Sequence, residues 1–548
     1  MKSLFFPLVL ALGIHAAAQI NIIPQPVEAK TKPGRLTFKK EIKINNLSGA
    51  QLSADFLADY LKKYYQVSSV IVKEKKAIDG AVNLQSVNTP RAEQYSLEAD
   101  GNKVLIKGDE AGVFRGVQSL IQLFPVKADD KLSIPQASIT DYPRFEYRGL
   151  HLDCGRYFFP VSFVKKYIDY LAYFKLNYFH WHLTDDQGWR IEIKKYPLLT
   201  SVGAWRNGTI IGHHPGKGNT MKRAGGFYTQ EEVKDIVRYA AARFITVIPE
   251  IEMPGHSGAA IAAYPYLSCF PDEPTFNYFS KEATWSGDKS GKKVQQGWSI
   301  YSDVFCAGKE TTFTLLEGVL DEAASLFPSK YIHIGGDECP KSNWKKCAAC
   351  QARIKELKLK DEHELQSYFI QRIEKYLNGK EKTIIGWDEI LEGGLAPNAI
   401  VMSWRGEDGG IEAAKQNHGV IMTPKNWCYL DYAQFAKKDS LVIGSYTSLQ
   451  EVYEYEPIPA KMEASKTKFV LGAQSNVWTE YISNEAKAEY MIFPRVFAMS
   501  EVLWSPKGVR DWAMFLVRTN NLLGRLETMK IHYGKGVRIT EKQAAKEK

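Results

Sequence analysis

The feature that most constrains this chain is a rhythm that begins at Tyr147. Eight short segments that read as buried strands recur from there: Tyr147–Asp153, Asn177–Thr184, Ile245–Ile251, Tyr331–Gly335, Thr383–Trp387, Ala399–Trp404, Gly419–Thr423 and Phe469–Ala473. Most are separated by stretches of helical periodicity, as at 162–174, 311–326 and 365–377. Thr229-Gln-Glu-Glu232 is a capping box that opens a further helix running to Phe244. Strand–helix alternation repeated eight times predicts an α/β chain whose main domain, 143–505, is a (β/α)8 TIM barrel. That span is long for such a barrel. Two polar segments rich in Gly and Lys, 203–226 and 264–308, account for the excess.

Upstream, 19–142 reads as a separate small α+β domain. Arg35 to Asn45 suits a strand or hairpin. Gln51 to Tyr65 places Leu52, Phe56, Leu57, Tyr60, Leu61 and Tyr64 at helical spacing. Tyr95–Ala99 and Lys103–Lys107 alternate in polarity around Asp100-Gly-Asn102, a hairpin signal. Residues 111–124 form a second amphipathic pattern. Residues 506–548 read as a helical tail, Val509 to Met529, that packs on the barrel and ends in a frayed Lys-rich stretch. Residues 1–18 have the form of a secretory signal: Lys2, a short apolar run from Leu4 to Ile14, and Ala16-Ala-Ala18. The run is too short to span a bilayer, so the protein is expected to be exported to a periplasm or the cell exterior, without a membrane span.

The formal charge of +9 is spread along the chain without a basic stripe, which argues against nucleic acid as a partner. Twelve Trp tilt the reading slightly towards sugar binding. Seven Cys leave an odd number in an exported chain; Cys269 and Cys306 are candidates to pair across the second long segment. Cys347-Ala-Ala-Cys350, with Cys339 upstream, resembles part of a metal or redox motif. A structural zinc wants four ligands and only His363 stands nearby as the fourth, so a local disulfide or free thiols is preferred. No metal and no cofactor is expected.

In a barrel of this kind the active site lies at the carboxyl ends of the strands. Those ends carry Asp153 to Arg156, Asp185-Asp186, Glu250 to His256, Asp337-Glu338, Trp387-Asp388-Glu389, Trp404-Arg405, Trp427 to Asp431, and Trp478 to Glu480. Carboxylates with aromatic walls suit cleavage of a glycosidic bond: one acid protonates the leaving oxygen, and flat rings cover sugar C–H faces. Asp337 and Glu338 are adjacent, and on an extended backbone neighbouring side chains point apart. They are therefore poorly placed as a facing nucleophile and acid. A better arrangement has Glu338 reach the scissile oxygen while Asp337 contacts a substrate group that makes the attack. Their proximity is expected to raise one pKa and help keep Glu338 protonated.

His333-Ile-Gly-Gly-Asp-Glu338 resembles the active-site signature of family 20 glycoside hydrolases, the β-N-acetylhexosaminidases. The resemblance extends through Arg156, His180-Trp-His-Leu-Thr-Asp-Asp-Gln-Gly-Trp-Arg190, Pro249-Glu-Ile-Glu-Met-Pro-Gly-His256, Gly386-Trp-Asp-Glu389 and Trp478-Thr-Glu480, and includes a small α+β domain before the barrel. It implies substrate-assisted hydrolysis, with retention, of terminal β-linked N-acetylhexosamine on an oligosaccharide or glycoconjugate. By the same likeness Glu338 is the acid and then the base. Asp337 orients the 2-acetamido group, whose oxygen attacks C1 to give an oxazolinium, and Tyr429 holds that oxygen. Trp387, Trp404 and Trp478 match the walls of the sugar pocket. Arg156, Asp431 and Glu480 match the grips on the hydroxyls at C3, C4 and C6. Asp185 and His256 match a supporting pair behind the acid, and His180 and His182 are read as packed core. Release of a disaccharide is the nearest alternative, and a non-catalytic glycan binder the distant one. The two long segments carry no motif that maps.

Overall fold

A computed structural model describes residues 20–38, 41–127, 132–279, 284–437 and 440–537. The expected signal at 1–18 and the Lys-rich end beyond 537 lie outside the described residues. The chain divides into two compact units, one holding Pro26–Asp141 and the other Ile23–Gln25 with Tyr142 onward.

The first unit is a mixed seven-stranded sheet of β1 (Glu28–Thr37), β2 (Glu41–Ser48), β3 (Ser68–Val72), β4 (Ala81–Ser86), β5 (Tyr95–Asp100), β6 (Lys103–Gly108) and β7 (Ser133–Asp141), in the order β1-β7-β5-β6-β4-β2-β3. Helices Gln51–Tyr65 and Glu110–Leu123 bury apolar faces, including Leu57 and Leu61 from the first and Val117 and Ile121 from the second. β5 and β6 form the expected hairpin. Asp100 pairs with Lys103 across Gly101-Asn102, and Gly101 takes the left-handed conformation that the turn needs. The Arg35–Asn45 hairpin does not form. β1 pairs with β7 and β2 with β3 and β4, because the partners that complete this sheet come from distant sequence.

In the second unit eight parallel strands close into a barrel: β8 (Tyr147–Asp153), β9 (Tyr178–His182), β10 (Thr246–Met253), β11 (Tyr331–Gly335), β12 (Thr383–Trp387), β13 (Ile400–Ser403), β14 (Val420–Met422) and β15 (Val470–Ser475), which pairs back onto β8. Each falls on an expected segment. The crossover helices include Val161–Tyr173, Gln230–Ala241 behind the Thr229 capping box, Glu310–Leu326 and Glu362–Asn378. Inward-pointing Tyr147, Ile248, Tyr331, Ile385, Ile400, Met402 and Ile421 fill the barrel below Trp387, so its lower interior is a packed core rather than a pore. Among the described residues no helix is long and apolar enough to cross a membrane.

Candidate active site

Strand β11 runs into Gly335-Gly336-Asp337-Glu338, and the two glycines are required by space as well as conformation. Their φ angles are +69° and +91°. A Cβ on Gly335 would lie 1.6 Å from Glu252 Oε2, and one on Gly336 would lie 2.5 Å from Ile390 Cγ2. Glu338 itself is left-handed at φ +42°, as is His256 at +46° after β10. Such strain at non-glycine residues costs about 1–3 kcal/mol each and gathers at functional sites. The turn replaces the extended backbone on which adjacent side chains diverge. Asp337, Glu338 and His256 each present an atom to one small locus, all within 4.8 Å of one another. The two acids are thus gathered around one imidazole.

His256 organises this locus. Its Nε2 lies 3.5 Å from Glu338 Oε2 and 3.8 Å from Asp337 Oδ2. Its Nδ1 lies 3.1 Å from Asp186 Oδ2 and 3.5 Å from Asp185 Oδ1. Asp186, the nearer carboxylate, was not among the expected site residues. Asp185 also contacts Arg156 Nη1 and His182 Nε2, each at 3.0 Å. Burial opposes a charge on His256, but the Asp185 charge and hydrogen bonds to Asp185, Asp186 and Glu338 push its pKa well above the ordinary value. The imidazolium in turn reverses the expected assignment of the two acids. Burial tends to raise Glu338, yet the His256 contact outweighs it and holds the carboxyl below its usual value. Burial pushes Asp337 up to about 7, with the Glu338 and Glu250 charges adding to the rise and His256 opposing it. In the unliganded site the acid with the raised pKa is Asp337.

Beneath lies a group that the sequence reading did not assemble. Glu250 Oε2 is 2.7 Å from His182 Nδ1 and 2.9 Å from His180 Nε2, while Oε1 is 2.8 Å from both His333 Nδ1 and Trp387 Nε1. Barrel register explains the convergence: Glu250 sits level with His182 on β9 and His333 on β11. His180 and His182 are fully buried, as expected. The available signal was the alternation Glu250-x-Glu252 and His180-x-His182 on strands whose inward positions are otherwise apolar.

The aromatic residues form the walls. Trp404 and Tyr429 stack at 6.1 Å and 16°, Trp387 lies 5.6 Å from Trp478, and the Arg156 guanidinium sits 5.0 Å from the Trp478 ring. Tyr429 is 6.4 Å from Trp478, and burial keeps its hydroxyl protonated. Trp404 Nε1 donates to Glu389, another carboxylate not singled out from sequence; burial and the Asp337 and Asp388 charges push it up to about 9. Asp431 and Glu480 stand together beside Trp478 around a gap too tight to admit a water molecule, and burial raises both. Neither Asp431 oxygen, nor Asp337 Oδ1, nor Arg156 Nε makes a well-formed hydrogen bond. Buried polar atoms left this way are costly unless a ligand supplies partners. These unpaired atoms beside aromatic faces suit a ligand that carries several hydroxyl or amide groups and an apolar face. Asp337, Glu338, His256, Asp185, Arg156, Trp478, Trp387, Tyr429 and Trp404 are connected through these contacts, and Asp431 and Glu480 lie beside Trp478.

The two long segments pack against each other at the rim. Ile210 from the first joins Phe279, Trp285 and Trp298 from the second, with Tyr157 and Tyr481 against them. Buried Arg206 donates to the Arg156 backbone carbonyl at 2.7 Å and lies over the Tyr157 and Trp298 rings.

Residues 145–507 match the model of the glycosyl hydrolase family 20 catalytic domain, and 19–142 match that family's domain 2. A β-hexosaminidase of Porphyromonas gingivalis is 45% identical over 94% of this chain; the chain spans 64% of that relative's length. Among solved structures, an exo β-N-acetylglucosaminidase from Vibrio harveyi in complex with N-acetylglucosamine superposes with a TM-score of 0.82 at 32% identity, covering 94% of this chain and 78% of the other. A β-N-acetylhexosaminidase from Bacteroides fragilis gives 0.78 at 32% identity, covering 94% and 96%.

Proposed function

The chain belongs to glycosyl hydrolase family 20, and from that membership we propose that it is an exported, exo-acting β-N-acetylhexosaminidase that removes terminal β-linked N-acetylglucosamine or N-acetylgalactosamine with retention. The observation that carries the reading is the gathering of Asp337 and Glu338 around one imidazole. An ordinary retaining enzyme needs two carboxyl groups flanking the scissile bond about 5–5.5 Å apart. Two acids gathered in this way suit a reaction in which the nucleophile belongs to the substrate.

In the proposed reaction the two acids share one proton, which passes from Asp337 to Glu338 when substrate binds. Asp337, now ionised, accepts the acetamido N–H and turns the carbonyl oxygen towards C1, with the Tyr429 hydroxyl donating to that oxygen. The C1–O bond breaks as the carbonyl oxygen bonds to C1, and the leaving oxygen takes a proton from Glu338. His256 Nε2 holds a proton beside Glu338 and supports its transfer. Water then attacks C1 of the oxazolinium, giving its proton to Glu338, and the ring opens to the free sugar. Trp387, Trp404 and Trp478 enclose the acetamido group and the ring. Arg156 and Asp431 satisfy their unpaired buried polar atoms on sugar hydroxyls, and Glu480 accepts from another.

Glu338→Gln tests the acid: turnover of aryl β-N-acetylglucosaminides is lost while fold and sugar binding persist, and near-normal turnover would sink the assignment. A thiazoline mimic of the cyclised intermediate should bind far more tightly than the product sugar. Efficient hydrolysis of plain β-glucosides would point to a protein nucleophile instead.

A further inference from the structure

Four cysteines that are scattered in sequence meet at the base of the second long segment. Cys269 follows a short turn at Pro265–Leu267, Cys306 precedes the Glu310–Leu326 helix, and Cys347 and Cys350 lie at the start of helix Ala348–Leu357. All are buried, and their sulfurs lie within 4.8 Å of one another. Cys306 Sγ is 3.7 Å from Cys347 Sγ and 3.6 Å from Cys350 Sγ, and Cys350 Sγ is 3.8 Å from Cys269 Sγ. A disulfide holds its sulfurs at about 2.05 Å, so two disulfides would give two short separations and longer ones between pairs. Here three separations are nearly equal, and Cys306 favours neither neighbour. Four thiolates at about 2.3 Å from a tetrahedral zinc have edges of about 3.8 Å. The Cys269–Cys306 pairing expected from sequence is not formed, and Cys339 and His363 stand outside the cluster.

The surrounding backbone is built to hold the four together. Ser268 and Phe305 form an antiparallel bridge, and Cys306 N donates to Leu267 O at 2.8 Å, which sets Cys269 and Cys306 on adjoining strands of chain. Trp344 Nε1 donates to Phe305 O at 3.0 Å, tying that ladder to the segment that carries Cys347 and Cys350. Gly308 allows the close approach, since a Cβ there would lie 2.2 Å from the Ala349 carbonyl carbon, and its N–H donates to the Cys306 sulfur. The Cys347-x-x-Cys350 spacing is that of a zinc-binding pair.

We propose that Cys269, Cys306, Cys347 and Cys350 bind one structural zinc ion that fastens the base of the 264–308 segment to the chain leading away from Glu338. All four positions are protein thiolates, so the ion has no open position and takes no part in hydrolysis. The fastened segment reaches the active site: Gln295 N donates to the backbone carbonyl of Asp186, whose carboxylate contacts His256, at 3.1 Å, and Phe305 N donates to Pro254 O, two residues before His256, at 3.1 Å.

The test is elemental analysis of the whole chain purified without chelator. The expected result is about one zinc per chain, released by a mercurial reagent and titrated with a metallochromic dye. Cobalt exchanged into the site should show the intense ligand-field and charge-transfer bands of a tetrahedral tetrathiolate, a readout that needs no variant to fold. Cys306→Ser and Cys350→Ser should each lower zinc content to about a tenth or less, while Cys339→Ser retains it. A metal-free parent chain whose mass is lower by four hydrogens, showing two disulfides, would overturn the proposal. So would a metal-free chain with reactive thiols, or undiminished zinc in Cys306→Ser.

Discussion

Replacing Asp337 by Asn should make this protein more stable as well as less active, and the gain should depend on pH in a defined way. Asp337 titrates at about 7 in the folded chain against 3.8 for the free side chain, mainly because it is buried. Each pK unit is worth about 1.4 kcal/mol, so ionising Asp337 costs the fold roughly 4 kcal/mol once the pH is well above 7. The folded value is the higher one. Between the two pKa values the native state therefore binds more protons than the unfolded state, and stability falls as pH rises through that window. At pH 5 part of the loss has already occurred, leaving about 3 kcal/mol to be lost between pH 5 and 8.5. The Asn variant carries no such penalty. Its neighbour Glu252 is also raised, in part by the Asp337 charge, so relief there adds with the same sign. Parent and variant should be unfolded in urea at both pH values, with Trp fluorescence as the probe. The stability difference, variant minus parent, should grow by about 3 kcal/mol on going to pH 8.5. A difference that stays constant or shrinks with rising pH would refute the placement of Asp337 as a buried acid with a raised pKa. Hydrolysis of N-acetylhexosaminides should fall in the same variant, since a neutral amide replaces the anionic acceptor for the acetamido N–H.

Three further outcomes follow from the same geometry. His256→Gln removes the imidazolium beside Glu338, so the limb of the kcat/KM–pH profile governed by Glu338 should move to higher pH, with roughly a hundredfold loss of rate; an unshifted profile would contradict the coupling. Glu250→Gln takes the charge from the centre of three histidines and should cost about 3–5 kcal/mol in an unfolding titration, whereas a loss below about 1 kcal/mol would mean the cluster contributes little. Gly335→Ala forces a Cβ against Glu252 at φ +69° and should destabilise the fold by about 2 kcal/mol or more, while Gly406→Ala, where nothing lies within 4 Å, should be neutral within about 0.5 kcal/mol by the same measurement.

What could be read in the sequence was what local pattern determines. The eight barrel strands were visible because a fully buried parallel strand such as Tyr331–Gly335 is a short apolar run bounded by helical periodicity. Once the strand ends were known, an inventory of acids and aromatic residues on one face followed from barrel topology, while the individual roles came from the family resemblance. What was not legible depends on register between distant segments. The Arg35–Asn45 stretch held strand residues, but its partners lie in other parts of the sheet, so the hairpin reading failed. The sign of the shifts at Asp337 and Glu338 does not follow from their adjacency, because His256, in the turn after β10, decides which of the two is stabilised as an anion. Glu250 went unnoticed as a hub because its partners are set by the stagger of β9 and β11. Along the chain Cys339 and His363 are the neighbours of Cys347 and Cys350; the fold gathers Cys269 and Cys306 instead.

The mutual packing of the two long segments has a consequence for how new specificities arise on this scaffold. Ile210 and Arg206 belong to one segment, and Trp298 to the other. An exchange of either alone would strand an apolar surface or a buried guanidinium. The two segments are therefore coupled physically, and a change in one calls for a matching change in the other; each also holds backbone of the site beneath, Arg206 at Arg156 O and Gln295 at Asp186 O. A designer who wishes to retarget the rim should transplant both segments from the same donor.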